Sequence, residues 1–355
     1  MDRRLFLCTP LVLATAHARA APPFAPVAPG AELAFPRDHG SHPLFRTEWW
    51  YITGWVEGAG RGGMGVQVTF FRSRPRLAEE SVSRFAPKEL LFAHAAIADP
   101  RLGRLRTDQR AARAGFGLAQ ASTATTDVAV GDWTLRLAGD TYETHVAARD
   151  FAFALRFAAP SLPILQGERG FSRKGPRDAQ ASYYYSRPQL ATSGTVTLDG
   201  RTEEVRGTAW LDHEWSSEYL AAEAQGWDWT GINFADGGAL MAFRIRAKDG
   251  GVLWAGGSIR DASGVARTLS PGDVRFTPEK SWRSPRTGIA YPVAMRVEAG
   301  GIELRLEPLM EDQELDARAS VGTVYWEGAV RALAGDRVVG RGYLELSGYG
   351  GPLRI

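Results

Sequence analysis

Two short segments hold the residues best suited to moving a proton. One is Ala209-Trp210-Leu211-Asp212-His213-Glu214-Trp215, and the other is Trp227-Asp228-Trp229. On an extended strand Trp210, Asp212 and Glu214 share one face while Leu211, His213 and Trp215 share the other. Asp212 therefore does not orient its neighbour His213, which needs a carboxylate from elsewhere. A carboxyl set between two indoles is poorly solvated, which penalises its charged form and raises its pKa. Such a group keeps its proton near neutral pH and can serve as a general acid, which makes Asp228 the leading candidate. Hydrogen bonding to buried backbone is the plainer alternative for Asp212, His213 and Asp228.

Two further clusters carry polar chemistry. In Ser182-Tyr183-Tyr184-Tyr185-Ser186, alternation sends Tyr183 and Tyr185 one way and Tyr184 the other. Phenols on a cavity wall combine apolar area with a hydrogen-bonding handle, although a packed tyrosine strand needs no ligand. In Arg37-Asp38-His39-Gly40-Ser41-His42-Pro43, the spacing of His39 and His42 suits a metal only on a helix; Gly40 and Pro43 argue for a loop, so no metal is expected. The chain has no Gly-x-Ser-x-Gly elbow, His-Glu-x-x-His motif, phosphate loop or dinucleotide fingerprint.

The elements that must position these groups read as strands. Period-two alternation recurs over 65–71, 133–137, 151–157, 195–198, 240–246 and 302–307, separated by turns such as Asp199-Gly200 and Asp236-Gly237-Gly238. A helix-period segment is expected only over 108–114. The 355 residues contain an internal repeat. Glu48-Trp49-Trp50-Tyr51-Ile52-Thr53-Gly54-Trp55 resembles 227–234, and Gly207-Thr208-Ala209-Trp210-Leu211-Asp212 resembles Gly340-Arg341-Gly342-Tyr343-Leu344-Glu345. Two antiparallel β units follow, over 31–218 and 219–355. Closure into barrels would hide their edges, giving an all-β chain of two tandem lipocalin-like barrels; two β-sandwiches would show the same strand signals.

Residues 1–20 read as an export signal: Arg3-Arg4, an apolar run from Leu5 to Ala16, and Ala18-Arg19-Ala20 as a cleavage pattern, with a resemblance to the twin-arginine type. The expected location is periplasmic or secreted. Residues 21–30, rich in Pro, read as a stiff exposed tether. The sole cysteine, Cys8, lies in the leader, so the mature chain is expected to carry no disulfide. A net charge of +2 argues against nucleic acid as a partner.

The blocks 35–40, Thr47-Glu48-Trp49-Trp50-Tyr51, Tyr184-Tyr185-Ser186-Arg187, 207–215, Gly226-Trp227-Asp228-Trp229 and Tyr325-Trp326-Glu327-Gly328 together resemble the carotenoid 1,2-hydratase and AttH-like family, over about 35–349. The resemblance implies two lipocalin-like domains with a ligand site between or inside them. It also implies water addition to an isolated alkene without a cofactor. Asp228 would be the proton donor, His213 its partner or the water-orienting base, and Asp212 a further acid. Glu48, Trp50, Tyr51, Tyr184, Tyr185, Trp215, Trp227 and Trp229 would line the substrate site. The leader fits the exported AttH-like branch better than the carotenoid enzymes. The expected partner is a hydrophobic small molecule, with peripheral membrane contact; the alternative to an enzyme is a carrier serving an ABC transport system, and a secreted lipid hydrolase is a third reading.

Overall fold

The computed structural model describes residues 24–75 and 80–353, so the expected leader lies outside the described residues. The first sheet contains β1 (Thr47–Gly58), β2 (Arg61–Ser73), β3 (Leu90–Ala98), β4 (Arg106–Arg113), β5 (Ala119–Ala121), β6 (Asp127–Val130) and β7 (Trp133–Ala138). It continues through β8 (Thr141–Ala147), β9 (Phe151–Ala158), β10 (Ile164–Leu165), β11 (Phe171–Arg173), β12 (Ala181–Leu198) and β13 (Arg201–Ser216). Its order is β4-β3-β2-β1-β13-β12-β9-β8-β7-β6-β5, with β10 and β11 also on β12. Because β3 and β4 come against β6, this sheet is a nearly closed antiparallel barrel.

The second sheet contains β14 (Ala224–Phe234), β15 (Ala239–Ala247), β16 (Val252–Arg260), β17 (Ala266–Leu269) and β18 (Val274–Arg283). It is completed by β19 (Ala290–Ala299), β20 (Ile302–Pro308), β21 (Glu314–Ala317), β22 (Thr323–Ala334) and β23 (Arg337–Leu346). The order is β17-β16-β15-β14-β23-β22-β20-β19-β18, with β21 on β22. Here β18 curls round against β15 and β16, and Arg244 Nη1 donates to Phe276 O at 2.7 Å across that junction. The architecture is all-β, as the alternation predicts, and it takes the form of a nearly closed antiparallel barrel and a second antiparallel sheet, as expected from the need to hide the strand edges.

The repeat sets matching pairings. β1 joins β13 with Tyr51 opposite Asp212, and β14 joins β23 with Trp229 opposite Glu345. The turn between β12 and β13 uses Asp199 (φ 51°) and Gly200 (φ 75°), the pair of positive φ angles that a two-residue hairpin needs. Each barrel encloses its own apolar core: Trp50, Phe70, Trp133, Phe153 and Leu211 fill the first, and Tyr291, Met295, Leu306 and Trp326 the second. A third cluster, including Tyr51, Trp55, Tyr184, Trp210, Trp229 and Tyr343, lies where the outer faces of the two sheets meet. The contact is close: a Cβ on Gly65 would fall 2.5 Å from Tyr343 Oη and 2.7 Å from Ala329 Cβ. Trp55 Nε1 donates to Gly342 O at 2.9 Å, and Asn233 Nδ2 donates to Ala209 O at 3.1 Å.

Two local expectations are corrected. Residues 108–114, expected as a helix, belong largely to β4, because pairing with β3 supplies hydrogen bonds that a short isolated helix would lack. The tether is not free over its described part. Val27 is buried in the first core, Ala25 N donates to Leu44 O, and the Tyr183 hydroxyl donates to Ala28 O.

Candidate active site between the barrels

A cavity of about 740 Å³ opens between the two sheets. From the first barrel Tyr51, Thr69, Tyr184, Asp212 and Glu214 face it; from the second come Trp227, Trp229, Phe243, Glu327 and Glu345. Strand alternation explains the choice, since Asp212 and Glu214 share a face of β13, and Tyr325 and Glu327 share a face of β22. Tyr219, in the connection between the two sheets, packs edge-on against Trp49 and Trp227.

The carboxyls on this wall share a physical condition: they are buried with little cationic company. Burial pushes Asp212 up to about 7, against hydrogen bonds from Ser186 Oγ (2.5 Å) and Trp210 Nε1 (2.7 Å), with the charge of Glu214 adding to the rise. Glu345 is likewise pushed up to about 7 by burial, despite donors from Ser347 Oγ (2.8 Å) and Trp227 Nε1 (2.9 Å). Glu327, its direct cross-strand partner, is raised by burial and by the Glu345 charge. Facing carboxyls of this kind titrate as a pair and favour holding a proton between them. Glu214 is raised by burial, moderated by Lys174, whose Nζ lies 2.9 Å from Glu214 Oε1. That ammonium also sits over the rings of Phe243 (4.3 Å) and Tyr184 (4.7 Å).

The opposite face of β13 holds a different cluster inside the first barrel. Glu48 Oε1 lies 2.9 Å from His213 Nε2 and 2.7 Å from His42 Nδ1, while Arg72 Nε donates to Oε2 at 2.8 Å. Burial opposes ionisation of Glu48, but the two imidazole hydrogen bonds and the Arg72 charge outweigh it and hold the carboxylate well below its usual range. Burial lowers His213 to about 4, so it is neutral; with its Nε2–H given to Glu48, its Nδ1 accepts from the Tyr185 hydroxyl at 3.1 Å. Trp50 stacks on His213 at 4.7 Å, and His42 stacks on Trp215 at 3.6 Å. The ligating atoms of His42, Glu48 and His213 lie within 4.8 Å of one another, but Arg72 already neutralises the carboxylate.

Of the residues expected at the site, Tyr51, Tyr184, Asp212, Trp227 and Trp229 line the cavity. His213, Glu48, Trp50, Tyr185 and Trp215 do not: they point into the first barrel, on the other side of the same strands. Asp228, the leading acid, is corrected most fully. Alternation places it on the face opposite Trp227 and Trp229, inside the second barrel. There it accepts from Arg244 Nε (2.6 Å), Arg246 Nε (3.1 Å) and the Tyr349 hydroxyl (2.9 Å). Its role there is that of an ion-paired carboxylate, and the indoles beside it in sequence do not desolvate it.

Glu214, Glu327, Glu345 and Lys174 are functional candidates that the sequence argument leaves out of the site. For Glu345 a signal exists: the repeat aligns it with Asp212, and both side chains line the cavity. Lys174 has no such signal, since it reaches the cavity from the irregular chain between β11 and β12.

The chain belongs to the AttH-like family, whose model matches residues 26–349. It is 50% identical to an AttH-type protein from Nitrosomonas europaea, over 92% of this chain and 100% of that one, with a TM-score of 0.86. Kievitone hydratase from Nectria haematococca is similar in fold at 15% identity, covering 92% of this chain and 99% of its own, with a TM-score of 0.68. CghA, solved with Sch210972, is similar at 13% identity over 93% and 100% of the two chains, with a TM-score of 0.53. No functionally curated protein matches this chain at a significant level.

Proposed function

We propose that this AttH-like chain is a hydratase that adds water to an alkene of an apolar, isoprenoid or lipid-like molecule held between the two barrels. The observation that carries this reading is Asp212, which faces an aromatic-lined cavity and is pushed up to about 7, so that near neutral pH much of it holds a proton. Asp212 gives that proton to one alkene carbon, and the π electrons form the new C–H bond. The positive charge left on the other carbon meets the ring faces of Trp229, Tyr51 and Tyr184, each worth roughly 0.5–2 kcal/mol to a nearby cation. Water adds there, and its proton passes to the Glu327–Glu345 pair. The Asp212 carboxylate that remains is stabilised by Ser186 and Trp210, and solvent exchange restores its proton. The fold shared with kievitone hydratase supports the reaction class.

The size and apolar wall of the cavity also suit a carrier that performs no chemistry, with an ABC transport component as its partner. One variant separates the readings. Asp212→Asn should lower turnover by about 10²–10⁴-fold, the usual worth of a general acid, with ligand affinity retained. The readout is incorporation of ¹⁸O from labelled water into isoprenoid alkenes, followed by mass spectrometry; unchanged turnover removes the acid role. Export belongs to the same proposal and is supported by Arg3-Arg4 and the apolar run after them. Recovery of a mature chain beginning near Ala21 from the periplasm or medium would test it.

A further inference from the structure

One end of the cavity contains more polar atoms than the protein satisfies. The Tyr51 hydroxyl, Thr69 Oγ1, Gln67 Oε1 and Glu327 Oε1 are all buried and none makes a hydrogen bond of good geometry, although the Tyr51 hydroxyl lies beside the Glu327 carboxyl. Their residues are at least nine-tenths buried, and Tyr51, Thr69 and Glu327 line the cavity wall. They are also grouped: Tyr51 and Thr69 are cross-strand partners, Gln67 lies two residues along β2, and Gln67 Nε2 donates to Glu327 Oε2 at 2.6 Å. Each unsatisfied buried group costs about 1–3 kcal/mol, so four together mark a place built for something that enters.

The available roles define what fits. Gln67 Oε1 can only accept. The Tyr51 and Thr69 hydroxyls can donate or accept. Gln67 occupies one Glu327 oxygen as an acceptor, and burial with the Glu345 charge favours a proton on the other, which makes it a donor. Tyr325 adds a fixed acceptor. Ser320 Oγ donates to Gln109 Oε1 (2.5 Å) and so accepts from His94 Nε2–H (2.8 Å), leaving His94 Nδ1 to accept the Tyr325 proton at 2.7 Å. An anion would meet the Glu327–Glu345 pair unfavourably, whereas a neutral hydroxyl can donate to one acceptor of the set and accept from two donors at a single oxygen.

Resting on the reading of the cavity as a ligand site, we infer that this end is a subsite for a neutral hydroxyl of the ligand. The substrate class is therefore an apolar alcohol or phenol rather than a pure hydrocarbon. A lone water, which has two O–H donors where a hydroxyl has one, could also meet these groups, and the test distinguishes the two.

Titration calorimetry with 4-hexylphenol and hexylbenzene, which differ by one oxygen, reads the subsite directly. The phenol should bind the wild-type protein at least about tenfold more tightly, the effect of leaving a built polar site unpaired in the hydrocarbon complex. Tyr51→Phe and Thr69→Val, combined, should erase that preference by removing the penalty from the hydrocarbon complex, so that hexylbenzene binds at least as tightly as to the wild type, which also shows that the variant is folded. Equal affinities in the wild type would mean that water fills the subsite and would overturn the inference. Tighter binding of 4-hexylbenzylamine than of the phenol would overturn it in favour of a cation site. Failure of the hydratase reading shows separately, as unchanged turnover in Asp212→Asn.

Discussion

The two faces of β13 place acids in opposite electrostatic settings a residue apart. On the barrel side His213 reaches Glu48, which is ionised and enclosed by Arg72, His42 and His213. On the cavity side Asp212 and Glu345 find neutral donors, and both are raised to about 7. Burial penalises charge in both places; what differs is whether an adjacent cation repays the penalty. The first cluster, fully paired, ties β1, β2 and the loop around His42 to β13. The second, short of cations, can hold and release a proton near neutral pH. Family resemblance in sequence covers both clusters, but of these acids Asp212 and Glu345 line the cavity and Glu48 does not.

Substitutions that alter this contrast should differ in kind and in size. Arg72→Met takes the guanidinium away from the buried Glu48 carboxylate, which keeps only His42, raised by Asp38 and Glu48 against its own burial, and the neutral His213, and it should cost about 3–5 kcal/mol in urea unfolding. A loss below about 1 kcal/mol would show that the cluster is not paired as described. Asp228→Asn leaves Arg244 and Arg246 without their counter-ion and should cost about 2 kcal/mol, yet turnover per folded molecule should be unchanged. A collapse in turnover at retained fold would restore Asp228 as the acid and break the assignment to the cavity face.

pH should sharpen the same contrast through protonation alone. Asp212 has a folded value of about 7 against about 3.9 in an unfolded chain, so its stabilising contribution is complete below about pH 4 and is lost as pH rises through about 7. Glu48 is depressed, so its contribution is present above the ordinary carboxylate range and is lost as pH falls through its folded value. Unfolding free energy followed from pH 4 to 8 should decline less steeply in Asp212→Asn than in wild type, and turnover should fall as pH rises past about 7. An identical slope in the two proteins would place Asp212 outside the titrating group.

Much of this was legible before any tertiary contact. Alternation along single strands separates Asp212 from His213 and Tyr184 from Tyr185, and the same rule separates Asp228 from its flanking tryptophans. The repeat also pointed to Glu345 through its match with Asp212. What alternation leaves open is which face of a strand meets a neighbouring barrel and which meets its own core, because both faces here are largely buried and apolar.

By itself the sequence determined the strands, their pairing into two similar units, and which side chains travel together, since these follow from the two-residue period and the turn residues. Only the tertiary structure decided that the acids of β13 and β23 turn towards one shared cavity while Asp228 meets two arginines. A pKa depends on the charges and the space within a few ångströms, and such neighbours can come from strands more than a hundred residues apart: Glu345 on β23 feels the charge of Glu214 on β13 and accepts from Trp227 on β14.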